Sequence, residues 1–506
     1  MNRMMMGVCV AVGFLACSAQ SAVRLPRIFG DNMVLQQGQP VPVWGWADAG
    51  EKVTVEFAGQ KKETTANADG KWMVRLEALK ASAEPAVFKV TGANTIELKN
   101  VVVGEVWFAS GQSNMEWSVN NSDNAQQEIA AAKFPLIRHF KAPLIFKQEP
   151  QNDVNASWVE TSPETIAHQS AVAYFFGRRL HQALDVPVGL INCSWGGTRI
   201  EPWTPLCGFE GLPALEGTRR SVEMSTPGTA AHKEATTKYV EEVGKWLADA
   251  QKRVAENKAL DAPPAFPQLN NQSPTVLYNG MVSGLVPFAI KGAIWYQGCS
   301  NVGEGMLYLE KTKALVKGWR QVWGQGDFPY YLVQLAPYNY GNNAQNLPGI
   351  WEAQAAVPSA IPNTGYAVIN DIGNVKDIHP RNKQDVGLRL ANQALNRTYG
   401  KTDVVWSGPV YKSFAIEGAK MRITFDNAEG LKTRDGKAPD WFEVCGADGQ
   451  FKFASAVIDG ATVVLSHPDI TAPTAARFAW DQSAEPNLVN AAGLPTGAFR
   501  CGAQPK

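Results

Sequence analysis

Strand-like and helix-like segments alternate between residues 101 and 400, which predicts an α/β protein. The expected architecture is a three-layer α/β/α domain flanked by all-β, sandwich-like domains. Three observations carry this reading. Short runs of period two, separated by turn residues, fill 23–100; apolar strands alternate with amphipathic stretches over 101–400; strand-like runs return over 401–506. A chain of 506 residues also exceeds one ordinary core, so several domains are expected.

The elements follow in order. Arg3 precedes an apolar run over 4–16, and small residues follow up to Ala22. Residues 1–22 therefore read as a secretory signal peptide cleaved near Ser21 or Ala22, too short to span a bilayer as a stable helix. Export to the periplasm or the exterior is the expectation. A lipid anchor at Cys17 ranks below it, because Phe14 is a poor first residue for a lipoprotein box. Within 23–100, the runs 41–46, 52–57 and 72–76 alternate apolar and polar around Asp48-Ala-Gly50 and Asn67-Ala-Asp-Gly70, the pattern of a small β-sandwich. In the central domain, 186–192, 290–296, 330–335 and 366–370 read as strands, and 171–184 and 308–322 as helices. Residues 208–275 read as an insertion. Its amphipathic segment, 232 to about 258, sets Tyr239, Val243, Trp246, Leu247, Ala250 and Val254 on one stripe expected to pack inward. The runs 421–425, 441–444 and 461–465 announce the C-terminal β domain.

Lysine plus arginine number 47 and aspartate plus glutamate 47, so charge gives no reason to expect nucleic acid or an anionic membrane as partner. The 16 tryptophans suit either sugar faces or large β-rich cores. Beyond the export segment, Cys193, Cys207, Cys299, Cys445 and Cys501 match no zinc ribbon and no redox pair, and their odd number leaves at least one thiol free.

The chemistry centres on Ser113. A strand over 101–109 runs into Ser110-Gly-Gln-Ser-Asn114, with a helix expected next; that geometry lifts a hydroxyl out of a sheet edge toward helix N-terminal N–H groups. Met115 replaces the second glycine of a Gly-x-Ser-x-Gly elbow, and a plain polar turn is the competing reading. A serine nucleophile needs a base, an orienting group and oxyanion donors. Of the six histidines, His379 and His467 precede proline and so sit on extended loops. His379 is the better base: it lies in the same domain as Ser113, and Pro380 is expected to open a helix over 381–396. Asp377 is favoured to orient it, with Asp371 second and a backbone carbonyl, giving a dyad, third. Glycine turns at 191–198 and 295–301 end two further strands, so Gly196 N–H and an amide of Gln297 or Asn301 are candidate oxyanion donors. Ser194 or Cys193 is a rival nucleophile that lacks an upstream glycine. Arg199, Glu201 and Trp203 either shape a sugar pocket or form an ordinary ion pair and core tryptophan.

With these pieces in place, the chain resembles the SGNH/GDSL-type hydrolases, specifically the sialate O-acetylesterase family. The resemblance rests on Gly104-Glu-Val-Trp-Phe-Ala-Ser-Gly-Gln-Ser-Asn-Met-Glu-Trp117, Ser194-Trp-Gly-Gly-Thr-Arg-Ile-Glu-Pro-Trp203, Gly292-Ala-Ile-Trp-Tyr-Gln-Gly298 and Asp377-Ile-His-Pro-Arg-Asn-Lys383. It extends to Leu25-Pro-Arg-Ile-Phe29 and Asn32-Met-Val-Leu-Gln36. It implies Ser113 as nucleophile, His379 as base, and oxyanion help from the Ser113 N–H, Gly196 and the third motif. The implied reaction removes O-acetyl groups from a sugar or glycan, with no metal or cofactor. Two features depart from the family pattern: Cys299 stands where the third motif carries glutamate, and Asp377 is two rather than three residues before His379. An esterase acting on acetylated xylan, and an inactive carbohydrate-binding protein, are the alternatives to a sialate esterase.

Overall fold

The computed structural model describes residues 22–266, 268–341 and 343–503. The expected export segment and lipid-anchor position Cys17 lie outside these, apart from Ala22. Six strands come first: β1 (Val34–Gln36), β2 (Val41–Trp46), β3 (Lys52–Phe57), β4 (Gln60–Thr65), β5 (Lys71–Leu76) and β6 (Ser82–Thr91). β2 and β5 form an antiparallel pair, while β3, β4 and β6 join the sheet that β7 (Thr95–Gly111) carries forward.

β7 is the spine of the molecule. Its first six residues alternate between exposed and half-buried, and the next eleven are all buried. That change marks where the strand leaves a sheet with one wet face and enters one covered on both faces. The change falls between Asn100 and Val101, inside one unbroken strand. β6 and β1 pair with the earlier part of β7, and two central-sheet strands with the later part.

The central sheet is completed by β8 (Phe134–Lys141), β9 (Trp158–Thr161), β10 (Val188–Ser194), β11 (Gly292–Tyr296), β12 (Tyr330–Val333) and β13 (Thr364–Ala367). Their order is β13-β12-β11-β7-β10-β8-β9, parallel throughout except for the antiparallel edge strand β9. Among the described residues the α-helices are α1 (Ser113–Glu116), α2 (Ala125–Ala130), α3 (Ala171–Leu184), α4 (Glu216–Ser225), α5 (Ala230–Ala255), α6 (Leu307–Trp323), α7 (Asn346–Ala360) and α8 (Lys383–Arg397). Successive residues of a strand point to opposite faces. Trp107 meets Phe176 of α3 at 5.0 Å between ring centres, and Phe108 meets Trp319 of α6 at 5.1 Å, so helices cover both faces. The fold is mixed α/β.

Two expectations need correction. The stripe of the insertion helix does not pack inward: within α5 only Ala250 is buried, and Leu247 and Val254 are 49% and 64% exposed. α5 rests on the short α4, too narrow to cover a 26-residue helix. Pro380 does not open α8 either. That helix starts at Lys383, where the Asn382 side chain accepts the Asp385 N–H at 3.0 Å as its N-cap.

Among the described residues the C-terminal strands form two four-stranded sheets and a two-stranded one, with Lys452–Phe453, Phe442–Cys445, Ala475–Phe478 and Phe499–Gly502 making up one of the larger two. Phe442, Phe478 and Phe499 of that sheet pack on one another, and Phe499 meets Phe425 of the other four-stranded sheet at 5.8 Å between ring centres. This region reaches the sheet domain through Asn370 Nδ2, which donates to Thr496 O at 2.8 Å, and through Arg434, which donates to Asp371 O at 3.1 Å. Among the described residues, Cys193, Cys207, Cys299, Cys445 and Cys501 form no disulfide.

Candidate active site

Sheet topology places the site. The chain leaves β7, builds β8 and β10 on one side, then crosses to build β11, β12 and β13 on the other. The C-terminal end of β7 is therefore a topological switch point, the crevice where open α/β sheets bind ligands. Gly111 ends β7 in register with Ser194 of β10 and Tyr296 of β11. Its φ is +146°, and a Cβ there would stand 2.2 Å from Tyr296 O, so only glycine lets the three strand ends meet. Gln112 ties the junction: its N–H donates to Tyr296 O at 3.0 Å and its Oε1 accepts from Gly298 N at 2.9 Å.

Ser113 is the first residue of the four-residue helix α1. The N–H groups of Ser113 and Asn114 have no acceptor among the described residues. Ser113 Oγ lies 2.8 Å from His379 Nε2. The loop carrying His379 is clamped from several directions. Trp117 stacks on the imidazole at 4.7 Å and 18°, and Asn114 Nδ2 donates to Ile378 O at 3.0 Å. The Asn114 carbonyl in turn accepts from Lys383 Nζ. Lys383 is fully buried, its ammonium 5.3 Å from the Tyr296 ring centre and 5.8 Å from that of Trp117. Burial pushes its pKa down to about 7. Burial, then the charge of Lys383, holds the His379 pKa below its ordinary value, against the opposing pull of Asp377. The imidazole is thus kept neutral, as a general base requires.

The orienting carboxylate differs from expectation. Asp377 Oδ1 accepts the backbone N–H of His379 at 2.9 Å but stands 3.9 Å from Nδ1, beyond hydrogen-bond reach. Its spacing of two makes a local turn that points the carboxylate at the backbone. Asp371 is bound by Arg389 through two bonds of 2.6 and 2.7 Å, which removes it as an alternative.

Of the oxyanion donors expected from the two glycine turns, Gly196 stands beside Ser113: a Cβ built on it would lie 3.3 Å from Ser113 Cβ. Its N–H, however, donates to Glu116 Oε2 at 2.6 Å. Gln297 and Asn301 are corrections. Both are buried with their amide protons committed: Gln297 Nε2 donates to Thr198 O and Asn301 Oδ1, and Asn301 Nδ2 to Glu201 and Glu304. They brace the 196–201 turn from beneath. Arg199 and Glu201 belong to an ion-pair cluster in which Lys311 Nζ donates to Glu201 Oε1 at 2.6 Å and Glu304 Oε2 at 2.7 Å. Trp203 is core, edge-on to Trp295 at 6.4 Å. The rival nucleophiles also fall away. Ser194 is buried and donates to Asn192 Oδ1 at 3.1 Å, and burial pushes the Cys193 thiol well up.

A cleft of about 320 Å³ opens over the pair, lined by Ser113, Glu116, Trp117, Lys141, His168 and His379. A larger cavity of about 430 Å³, between α4 and α5, contains neither Ser113 nor His379. Sequence reasoning missed Asn114, Glu116, Trp117 and Lys383. The first three adjoin Ser113 in the most specific motif, and Lys383 lies four residues beyond His379.

Comparison with known proteins adds to this geometry. Residues 103–216 match the family model described as carbohydrate esterase, sialic acid-specific acetylesterase. A sialate O-acetylesterase of Rattus norvegicus is 30% identical, the match covering 89% of this chain and 88% of that protein. The human sialate O-acetylesterase is 29% identical, covering 87% and 83%. The crystal structure of a carbohydrate acetylesterase from Xanthomonas citri superposes with a TM-score of 0.80 at 34% identity, covering 95% of this chain and 99% of that one. The chain belongs to the sialate O-acetylesterase family and is a carbohydrate esterase that removes O-acetyl groups.

Proposed function

We propose that Ser113 and His379 are the nucleophile and base of this esterase, and that its substrate is an O-acetylated sialic acid. The observation that carries the catalytic assignment is the 2.8 Å contact between His379 Nε2 and Ser113 Oγ at the sheet's switch point. His379 takes the hydroxyl proton as Ser113 Oγ attacks the acetyl carbonyl. The oxyanion is met by the Ser113 N–H and, once Glu116 has moved off it, by the Gly196 N–H. Collapse breaks the ester bond, and His379 returns the proton to the departing sugar hydroxyl. A water deprotonated by the same imidazole then releases acetate and frees Ser113. Asp377 stabilises the imidazolium by its charge alone.

The sialate assignment is supported by the relatives' substrate over most of the chain. We further read the central unit as an SGNH-type three-layer domain over 101–400, flanked by β domains over 23–100 and 401–506, and residues 1–22 as an export signal. Ser113→Ala is expected to lower acetate release by at least ~10³-fold, with residual catalysis coming from the remaining N–H donors. Acetate release compared between O-acetyl sialic acids and acetylated xylan oligosaccharides tests the substrate. If both stay untouched while simple aryl acetates are cleaved, the sialate reading fails.

A further inference from the structure

We propose that Glu116 is a specificity-determining gate: its carboxylate fills the slot the reacting acetyl oxygen needs, and hydroxyls of a bound sugar draw it out toward Lys141. The proposal rests on the Ser113–His379 reading above. Glu116 Oε2 accepts the Gly196 N–H at 2.6 Å, a charge-assisted bond shorter than ordinary N–H to oxygen bonds. A Cβ placed on Gly196 would lie 3.2 Å from that oxygen and 3.3 Å from Ser113 Cβ, so carboxylate and nucleophile occupy the same side of the glycine turn. The slot beside the nucleophile thus already holds an anion.

A neutral ester carbonyl is a weaker acceptor than a carboxylate, so it cannot displace Glu116 by its own oxygen. An oxyanion forming on Ser113 would moreover meet a like charge at the same donor. Glu116 must therefore leave before the transition state, and something must compensate the bond it gives up. Glu116 and Lys141 line the same cleft, and the Glu116 carboxylate is near enough to support the Lys141 charge against burial. Lys141 holds its place by donating to His168 O at 2.8 Å. Sugar hydroxyls donate to carboxylates, whereas an aryl acetate offers no donor. Remote binding energy from the sugar is in this way applied at the reacting centre, the usual route by which a specific substrate gains in kcat rather than only in KM.

The test compares Glu116→Ala with the unaltered protein on p-nitrophenyl acetate and on an O-acetylated sialic acid, with added sodium acetate as a slot probe. Opening the slot is expected to raise kcat/KM for the aryl acetate about tenfold and lower it about tenfold for the acetylated sugar. The ratio between the two substrates then collapses by about a hundredfold. Competitive inhibition by acetate is expected to tighten about tenfold as the slot empties. Glu116→Gln, which keeps the side-chain size and an acceptor oxygen, is expected to shift each quantity in the same direction by less, and it serves if the alanine variant does not fold. Equal loss toward both substrates with unchanged acetate inhibition overturns the gate and leaves Glu116 as a strut for the Gly196 turn. Full activity of Ser113→Ala in the same assays overturns instead the nucleophile assignment on which the gate rests.

Discussion

At the hydroxyl of Ser113 the controlling quantity is the charge on His379. A lowered pKa means the imidazole is neutral, and able to accept a proton, down to pH values below its ordinary 6.5. The acid limb of kcat/KM is therefore expected below pH 6.5. Asp377 opposes this shift, so Asp377→Asn is expected to move the limb lower still. Asparagine also keeps an oxygen for the His379 backbone N–H. The loss of kcat at neutral pH should then stay within about tenfold, against ~10⁴ for an aspartate hydrogen-bonded to the ring. A pH–rate series on the one variant checks both statements, and a loss near the larger figure would restore Asp377 as a full third member.

Among the elements, α8 decides whether the proposed base, His379, is in place. Lys383, its first residue, reaches Asn114, which holds the carbonyl beside His379. The ammonium loses its proton near pH 7 and with it the repulsion that lowers the His379 pKa. Lys383→Met is accordingly expected to raise the acid limb of kcat/KM, opposite in sign to Asp377→Asn, and to lower kcat because the Asn114 amide that anchors the Ile378 carbonyl loses its own support. α8 crosses α3 closely: a Cβ on Gly387 would lie 2.6 Å from Phe175 Cβ and 2.7 Å from Phe176 N. Gly387→Ala must push the helices apart, at about 1–3 kcal/mol. A fall in Tm accompanied by lost activity, with Ser113 untouched, is the expected result. α5 tells the opposite story. Its stripe of Tyr239, Val243, Trp246, Leu247, Ala250 and Val254 was legible as helical periodicity, but periodicity records a face and not whether a partner of sufficient width exists to cover it, and only Ala250 is buried.

For the whole molecule, stability rests on a continuous strand and on packing instead of cross-links. With no disulfide among Cys193, Cys207, Cys299, Cys445 and Cys501 in the described residues, Tm measured with and without a thiol reductant is expected to be unchanged. Beneath the second motif, burial alone would raise the Glu201 carboxyl, but the charge and hydrogen bond of Lys311, with a backbone hydrogen bond and the charge of Arg199, together make the net shift downward. That contribution is full above the ordinary carboxylate range and fades as pH falls through the lowered value. Lys311→Met strands Glu201 and Glu304 without their buried cation and is expected to cost about 3–5 kcal/mol, read by denaturant unfolding at pH 7. The sequence by itself determined the α/β class and singled out Ser113 on its glycine turn and His379 on its loop before proline, because strand periodicity, glycine chemistry and the residue before proline are local constraints. Only the tertiary structure decided which groups serve that pair. Asp377 turned to the backbone, Gln297 and Asn301 turned inward, and Glu116 came to lie on Gly196 because β7, β10 and β11 meet at one switch point. There, hydrogen-bond capacity is divided among residues far apart in the chain, and no local pattern records that division.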